Sequence, residues 1–120
     1  MAKPEKAIQV DIVNYLRAVM PTECIVHHCR NEINQRGKRA MLQQIEATEM
    51  GAVKGFPDLA VFTFRGVLLF EVKAPRGYPT RAQKEVHERL RHMGYHVAVV
   101  RSVDDVRAAL KEWSFPTREV

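Results

Sequence analysis

Three charged residues in the middle of the chain have types and spacing suited to chemistry. Asp58, Glu71 and Lys73 lie in an otherwise apolar stretch. Two runs, 59–64 (LAVFTF) and 67–72 (VLLFEV), have the length and composition of strands, and together they predict a β-hairpin. Because side chains alternate along a strand, the three charged side chains are expected on one face. The other face is expected to pack on a helix through these apolar residues: Leu59, Val61, Leu68, Phe70 and Val72.

The loop of this hairpin sets the expected pairing of its strands. A two-residue loop at Arg65-Gly66 suits the glycine at the second turn position, although arginine is not a favoured first residue. In that register Asp58 lies opposite Lys73. Opposed Cβ atoms are about 5 Å apart and diagonal ones about 7–8 Å, so Asp58 and Glu71 are expected to be close enough to hold one cation.

Two carboxylates beside an ammonium group are typical of metal-assisted hydrolysis. Carboxylate oxygens bind Mg²⁺ and leave positions open for water and a phosphate oxygen, and the metal polarises the phosphoryl group. The Lys73 ammonium is expected to orient or help deprotonate the attacking water, or to offset charge in the transition state. The side chain of Val72 points away, so its carbonyl is a candidate further ligand.

The alternative interpretation is a surface hairpin in which Asp58 and Lys73 form an ordinary cross-strand ion pair. Apolar residues on the same face argue against it, because they indicate that the strands are central in a sheet. These residues are Phe62, Phe64, Val67 and Leu69.

The residues around this trio resemble those of a nuclease family. Pro57-Asp58 followed by Glu71-Val72-Lys73 resembles the PD-(D/E)XK nuclease signature. The fuller string, G-x-P-D-L, E-V-K-x-P, Gln83 and then GYHVAVVR at 94–101, resembles the VRR-NUC (virus-type replication-repair nuclease) branch from Glu5 to about residue 110. The resemblance implies an α/β, restriction-endonuclease-like fold with a mixed central sheet flanked by helices, in one domain spanning 1–120. It also implies a Mg²⁺ or Mn²⁺ cofactor and a phage or prophage origin.

Two further side chains acquire a role from this resemblance. Related nucleases place a glutamate of the first helix at the metal site, which implies Glu5 as a third acidic residue; by itself Glu5 is a first-turn acid that favours the helix dipole. The resemblance also places Gln83 on the scissile phosphate or water. Thr80 and Gln83 fit a capping box as well, and one side-chain amide is not expected to serve both roles fully.

Basic residues near the predicted site are candidates for binding DNA phosphates without reading sequence, although as surface charge alone they would be unremarkable. They are Lys54, Arg76, Arg81 and Lys84, together with Arg36, Lys38 and Arg39. The pair Asn31-Glu32 resembles similar pairs in VRR-NUC sequences. It is expected either to approach the substrate or the residues behind the metal, or simply to form a turn.

Composition agrees with a soluble protein that binds a polyanion. The 120 residues are 46% hydrophobic and 28% charged, with a formal net charge of +5. No apolar run approaches the roughly 20 residues of a membrane span, and the N-terminus lacks the apolar core of a signal peptide, so we expect a soluble, cytoplasmic protein. Cys24 and Cys29 should face opposite sides of a strand, and with His27 and His28 they match no zinc pattern.

The predicted elements follow the order α-β-α-β-β-α-β-α. The helices are expected at 4–20, 38–50, 80–93 and 102–113, and the strands at 24–30, 59–64, 67–72 and 96–100. Because a helix connects the last two strands, a parallel neighbour is expected for strand 96–100.

The charged trio and the resemblance together predict a Mg²⁺- or Mn²⁺-dependent endonuclease that hydrolyses phosphodiester bonds in DNA. Because standalone VRR-NUC proteins resemble dimeric junction resolvases, the resemblance implies branched DNA as the substrate and a homodimer with two sites for symmetric cuts in a four-way (Holliday) junction. Two alternatives stay open. One is a flap, nicking or exonucleolytic activity of the same residues, and the other is a non-catalytic DNA-binding module that keeps the fold.

Overall fold

A computed structural model describes residues 3–29 and 37–119, and within them four helices and four strands follow in the predicted order. Most of their ends lie within one residue of the prediction. The elements are α1 (Glu5–Val19), β1 (Ile25–His28), α2 (Lys38–Glu49), β2 (Leu59–Thr63), β3 (Gly66–Val72), α3 (Arg81–His92), β4 (His96–Val100) and α4 (Val103–Glu112).

The four strands form one mixed sheet in the order β1-β2-β3-β4. The β1–β2 and β2–β3 pairs are antiparallel, whereas β3 and β4 are parallel. α3 connects the two parallel strands, as a crossover between parallel strands requires. The predicted mixed sheet with a central hairpin and a parallel last strand is therefore confirmed.

The two faces of the sheet are covered by different helices. On one face α1 and α4 pack over Leu59, Val61, Leu68, Phe70 and Val72, the apolar set that the sequence predicts for that face. α1 contributes an apolar stripe at helical spacing, and full burial of one such aliphatic side chain contributes about 1.5–3 kcal/mol. The buried residues of the stripe are Ile8, Ile12, Leu16 and Val19. No helix within residues 3–29 and 37–119 combines the length and the apolar surface that crossing a bilayer requires.

α3 covers only part of the opposite face. Ala60 and Leu69 pack there with Val86 and Leu90 of α3 and with Val97, and all five side chains are buried. Beyond the end of this cover the sheet is open, and Phe62 is 46% exposed there. Phe64, which was expected on this face, lies instead in the turn, and its ring centroid is 6.0 Å from that of Phe115 in the core on the other side. The charged residues of the hairpin thus lie at the helix-covered end of this face.

The predicted register of the hairpin is wrong by two residues. The loop is Phe64-Arg65, Thr63 pairs with Gly66, and Leu59 pairs with Phe70. The Thr63 hydroxyl holds this turn, because its Oγ1 accepts from the Arg65 amide (3.0 Å) and donates to the Gly66 carbonyl (2.8 Å). Gly66, with φ of 112°, follows the loop in a conformation that favours glycine.

This shift changes the neighbours of the charged residues but not their faces. Extended by one position, the observed register places Asp58 opposite Glu71, where the prediction had placed Lys73. A shift of two residues keeps every side chain on its predicted face because the side-chain period of a strand is two. The two carboxylates are therefore closer partners than the sequence indicated.

Candidate active site

A cleft of about 790 Å³ opens where β2 begins, between α1 and the N-terminal end of α3. Four residues predicted for the site line it, namely Glu5, Lys54, Asp58 and Gln83. Glu71 is fully buried beneath the cleft. The fold thus brings together groups that are separated by as many as 78 positions along the chain.

Asp58 and Glu71 form a coupled pair of carboxyl groups. Burial, followed by the hydrogen bond and the charge of Glu71, raises the pKa of Asp58 to about 7, although the Val72 amide and the charge of Lys73 oppose the rise. The Val72 amide donates to Asp58 Oδ2 at 2.8 Å. Burial also raises the pKa of Glu71, while its hydrogen bond with Asp58 and the charge of Lys73 oppose the rise. Two carboxyl groups this close hold one proton between them, or one cation.

Two side chains of α3 hold Glu71 from behind. His87 Nε2 lies 3.0 Å from Glu71 Oε1, and both side chains are almost completely buried. Gln83 Nε2 donates to Glu71 Oε2 at 3.4 Å. The sequence reasoning did not assign His87, although its position four residues after Gln83 places both on one side of a helix.

Gln83 has two partners in the structure, Thr80 and Glu71, and its contact with the scissile phosphate or water stays a prediction. Its side-chain Oε1 accepts from the Thr80 backbone amide at 2.8 Å, and its backbone amide donates to Thr80 Oγ1 at 3.2 Å. These two hydrogen bonds complete the predicted capping box. Its Nε2 remains available to Glu71. The acceptor oxygen of the Gln83 side chain thus caps the helix, while its donor nitrogen contacts Glu71.

Lys73 and Glu5 complete the electrostatics of the site. The half-buried Lys73 lies close enough to lower the pKa of Glu5, Asp58 and Glu71 by its charge. Burial, with a contribution from Asp58, nevertheless leaves the pKa of Glu5 above its ordinary value. Glu5 is exposed and therefore lies on the open side of the cleft.

The donor atoms of the site suit a hard divalent cation with few protein ligands. Within residues 3–29 and 37–119, no three His, Cys, Asp or Glu side chains converge into a ready metal-binding group. Mg²⁺ characteristically takes one or two carboxylates and fills its shell with water and phosphate oxygens. The Asp58–Glu71 pair fits that pattern, and metal binding by Glu5 and by the Val72 carbonyl stays a prediction.

The cysteines of β1 and its flanks face opposite sides of the sheet, as expected. Cys24 packs against the α1 and α4 side, and Cys29 against the α3 side. The two are therefore unable to act together as ligands of one ion.

Gly55 explains why the segment before Asp58 needs a glycine. A Cβ atom at this position would lie 2.6 Å from the backbone C and O of Ala82 and 2.8 Å from the Gln83 amide nitrogen. Its φ of 89° also favours glycine. This close approach seats the segment that carries Lys54 and Asp58 against the first turn of α3.

Arg101 supports the loop between β3 and α3. Its guanidinium donates to the Gly77 carbonyl at 2.8 and 3.2 Å and lies 5.1 Å from the centroid of the Tyr78 ring. The sequence alone indicates no role for Arg101. The loop that it braces carries Arg76 and leads to Thr80 and Gln83.

The predicted DNA-binding residues that the structure describes occupy three places. Lys54 lines it, whereas Arg76, Arg81 and Lys84 are exposed near the start of α3. Lys38 and Arg39 are exposed at the start of α2, and Arg36, Asn31 and Glu32 lie outside the described residues. The sequence analysis did not assign the polar face of α1 to the site. Four residues of this face line the cleft, namely Lys6, Gln9, Asn14 and Arg17. Their position outside the buried stripe of α1 was the signal that could have identified them.

The topology and the position of the paired carboxylates define a restriction-endonuclease-like α/β fold. A solved structure described as a VRR_NUC domain protein has this fold, with a TM-score of 0.71 to this chain at 23% sequence identity. The similarity covers 94% of this chain and 89% of that chain. No protein-family model matches the sequence, and no curated protein does. The predicted fold is thus confirmed by a structural neighbour rather than by sequence similarity.

Proposed function

We propose that this chain is a VRR-NUC nuclease that hydrolyses phosphodiester bonds in DNA with Mg²⁺ or Mn²⁺. The observation that carries this proposal is the pairing of the Asp58 and Glu71 carboxyl groups, which lie opposite each other on adjacent strands at a cleft bordered by basic side chains. A buried pair of this kind costs stability unless a ligand uses it. A divalent cation is the ligand that two adjacent carboxylates bind best.

Each residue of the site has a defined part in this reaction. A cation held by Asp58 and Glu71, with Glu5 and the Val72 carbonyl as further ligands, supplies Lewis-acid polarisation of the phosphoryl group. Lys73 orients the attacking water or helps remove its proton, and its charge offsets that of the transition state. Gln83, in the first turn of α3, contacts the scissile phosphate or the water in this proposal.

The substrate that we propose is branched DNA, with the four-way junction as the first candidate. The net charge of +5 and the basic residues around the cleft favour a polyanion. Contacts of this type go to phosphates and carry no base specificity. Flap, nicking or exonucleolytic cutting would use the same residues, and a non-catalytic DNA-binding module would use only the basic surface.

The proposed homodimer is supported by the apolar surface of α2. None of the α2 side chains, all of which the structure describes, is buried. Met41 and Leu42 are each 64% exposed and Ile45 is 49% exposed. A twelve-residue helix is only marginally stable without packing, so a second copy is the partner that we propose for this surface. Because Gln44 lines the cleft, docking at α2 would bring two clefts near each other.

Replacing Ile45 by glutamate is therefore expected to convert a dimer to a monomer, because it places a charge in the proposed apolar interface. Light scattering after size exclusion measures the mass. The matched control is Met93→Glu, which changes a residue that is 65% exposed at the end of α3 and should leave the dimer intact. A monomeric mass of the unaltered protein, with junction cleavage retained, would remove the homodimer from the proposal.

The direct test of the proposed function is cleavage of a labelled four-way junction, beside a flap and a linear duplex, in Mg²⁺, Mn²⁺ or EDTA. Lys73→Ala is expected to slow cleavage by about 10²–10⁴-fold, the usual contribution of a positioned proton-transfer group. Lys111→Ala removes the same charge from an exposed position of α4 and should cleave normally.

The pattern of products separates the alternatives. Paired, metal-dependent nicks in the junction alone would support a resolvase. Equal cutting of the flap or duplex would keep the nuclease and refute junction specificity. Binding without cutting in every metal would leave only the DNA-binding module.

A further inference from the structure

We infer that His87 is a positioning residue that fixes the orientation of the Glu71 carboxylate for cation binding. The inference rests on the proposed function, because it concerns how the metal-binding pair is held. It starts from the burial of two polar side chains. Among the described residues, Glu71 and His87 are the polar or charged ones that the structure buries, at 0% and 2% exposure.

Much of the space around this pair is filled by apolar side chains. Val86 and Leu90, which flank His87 on α3, pack with Ala60, Leu69 and Val97 on the same face of the sheet. An unpaired carboxylate or imidazole in such surroundings would cost several kcal/mol. The contact of 3.0 Å between His87 Nε2 and Glu71 Oε1 satisfies both groups.

The contact between the two side chains determines which group donates. A carboxylate that binds a cation is ionised and can only accept hydrogen bonds, so the imidazole must be the donor. His87 Nε2 lies 3.0 Å from Glu71 Oε1 and therefore carries the hydrogen of this bond.

This hydrogen bond decides which oxygen of Glu71 is available. Oε1 is held at 3.0 Å by His87, whereas Oε2 has a longer contact of 3.4 Å with the side-chain amide of Gln83, a residue that lines the cleft. Rotation of the carboxyl group about its last bond would break both contacts. Oε2 therefore lies on the Gln83 side, towards the cleft, which is the orientation that a shared cation needs.

Hydrogen bonds on both sides of His87 fix the position of α3 on the sheet. One turn before it, Gln83 closes the capping box with Thr80. One turn after it, Arg91 donates to the Val97 carbonyl at 2.9 and 3.3 Å. Residues four apart share one side of a helix, so three successive polar side chains of α3 reach the sheet and the middle one holds Glu71. A rigid support of this kind maintains ligand geometry before the metal arrives.

The test measures Mn²⁺ affinity by calorimetry in the absence of DNA, so that it does not depend on activity. His87→Asn is expected to weaken Mn²⁺ binding by about 10- to 100-fold, the usual effect of removing a partner of a metal ligand. Asparagine keeps an amide but is too short to place it where Nε2 lies. His87→Gln, whose amide reaches that position, should restore affinity to within a few-fold of the unaltered protein.

Two comparisons make the result decisive. His92→Asn changes an exposed histidine of the same helix and should bind Mn²⁺ normally. DNA binding in EDTA should be equal in all the variants, since it depends on the basic surface. Equal Mn²⁺ affinity of the Asn and Gln variants and the unaltered protein would overturn the inference and leave the proposed function standing. No Mn²⁺ binding by the unaltered protein would overturn the proposed function and the inference with it.

Discussion

Replacing Asp58 by asparagine is expected to abolish metal-dependent cleavage and, at the same time, to stabilise the metal-free protein at alkaline pH. Cleavage should fall by at least about 10³-fold, because the cation loses one of its two carboxylates while the water must still be activated. The gain in stability has a separate cause. Ionised Asp58 lowers the free energy of unfolding, because the carboxylate is partly buried and lies beside Glu71. Asparagine keeps the hydrogen bond from the Val72 amide but carries no charge.

The sign of the pH dependence follows from the raised pKa of Asp58. The group titrates at 3.8 in the unfolded chain and at about 7 in the folded one. Between these values the folded state holds a proton that the unfolded state has lost, so the free energy of unfolding decreases as the pH rises from about 4 to about 7. Asparagine does not ionise and escapes this loss. Allowing for partial solvent screening, the variant should gain about 2 kcal/mol above pH 7 and nearly nothing at pH 4.

Urea denaturation in EDTA at pH 4.5 and pH 8 measures this difference. Glu112→Gln, which neutralises an exposed carboxylate at the end of α4, is the control and should show no comparable change between the two pH values. If Asp58→Asn were less stable than the unaltered protein at pH 8, the burial and mutual repulsion of the two ionised carboxylates would not destabilise the metal-free fold.

Replacing Gly55 by alanine is expected to destabilise the fold more than the same replacement at any other glycine of this chain. The new Cβ would lie 2.6 Å from the Ala82 backbone, which is unable to yield as a flexible side chain would. The φ of 89° adds strain of about 1–2 kcal/mol for a residue with a Cβ. Together these effects should lower the free energy of unfolding by about 3 kcal/mol or more.

Activity should fall even in the molecules that remain folded. The clash separates the segment carrying Asp58 from the first turn of α3, where Gln83 lies, and a displacement of about 1 Å in a catalytic site costs about 10²-fold in rate. Thermal unfolding and junction cleavage measure the two effects.

Gly51→Ala is the matched control for the clash. Gly51 has a similar φ of 104°, but a Cβ there would meet no described heavy atom within 4 Å. Gly51→Ala should lower the free energy of unfolding by only about 1–2 kcal/mol, which is the cost of the backbone strain. Equal losses in the two variants would mean that strain alone matters and that the contact with α3 does not.

The sequence by itself determined the elements and the faces of this protein. Helical stripes such as that from Ile8 to Val19 and the strand composition of 59–72 depend on local periodicity, which a single chain displays directly. For the same reason Glu71 appears on the correct face even though the predicted register was wrong. The parallel β4 followed from the length of the connection that contains α3.

The tertiary structure decided which side chains meet. The hydroxyl of Thr63 selected one of two possible loops, and that choice placed Asp58 opposite Glu71 instead of Lys73. Burial of His87 against Glu71 depends on how α3 lies on the sheet, and no local pattern encodes a contact between residues 16 positions apart. Side-chain periodicity assigns a face, whereas hydrogen bonds and packing over long separations assign the partner on that face.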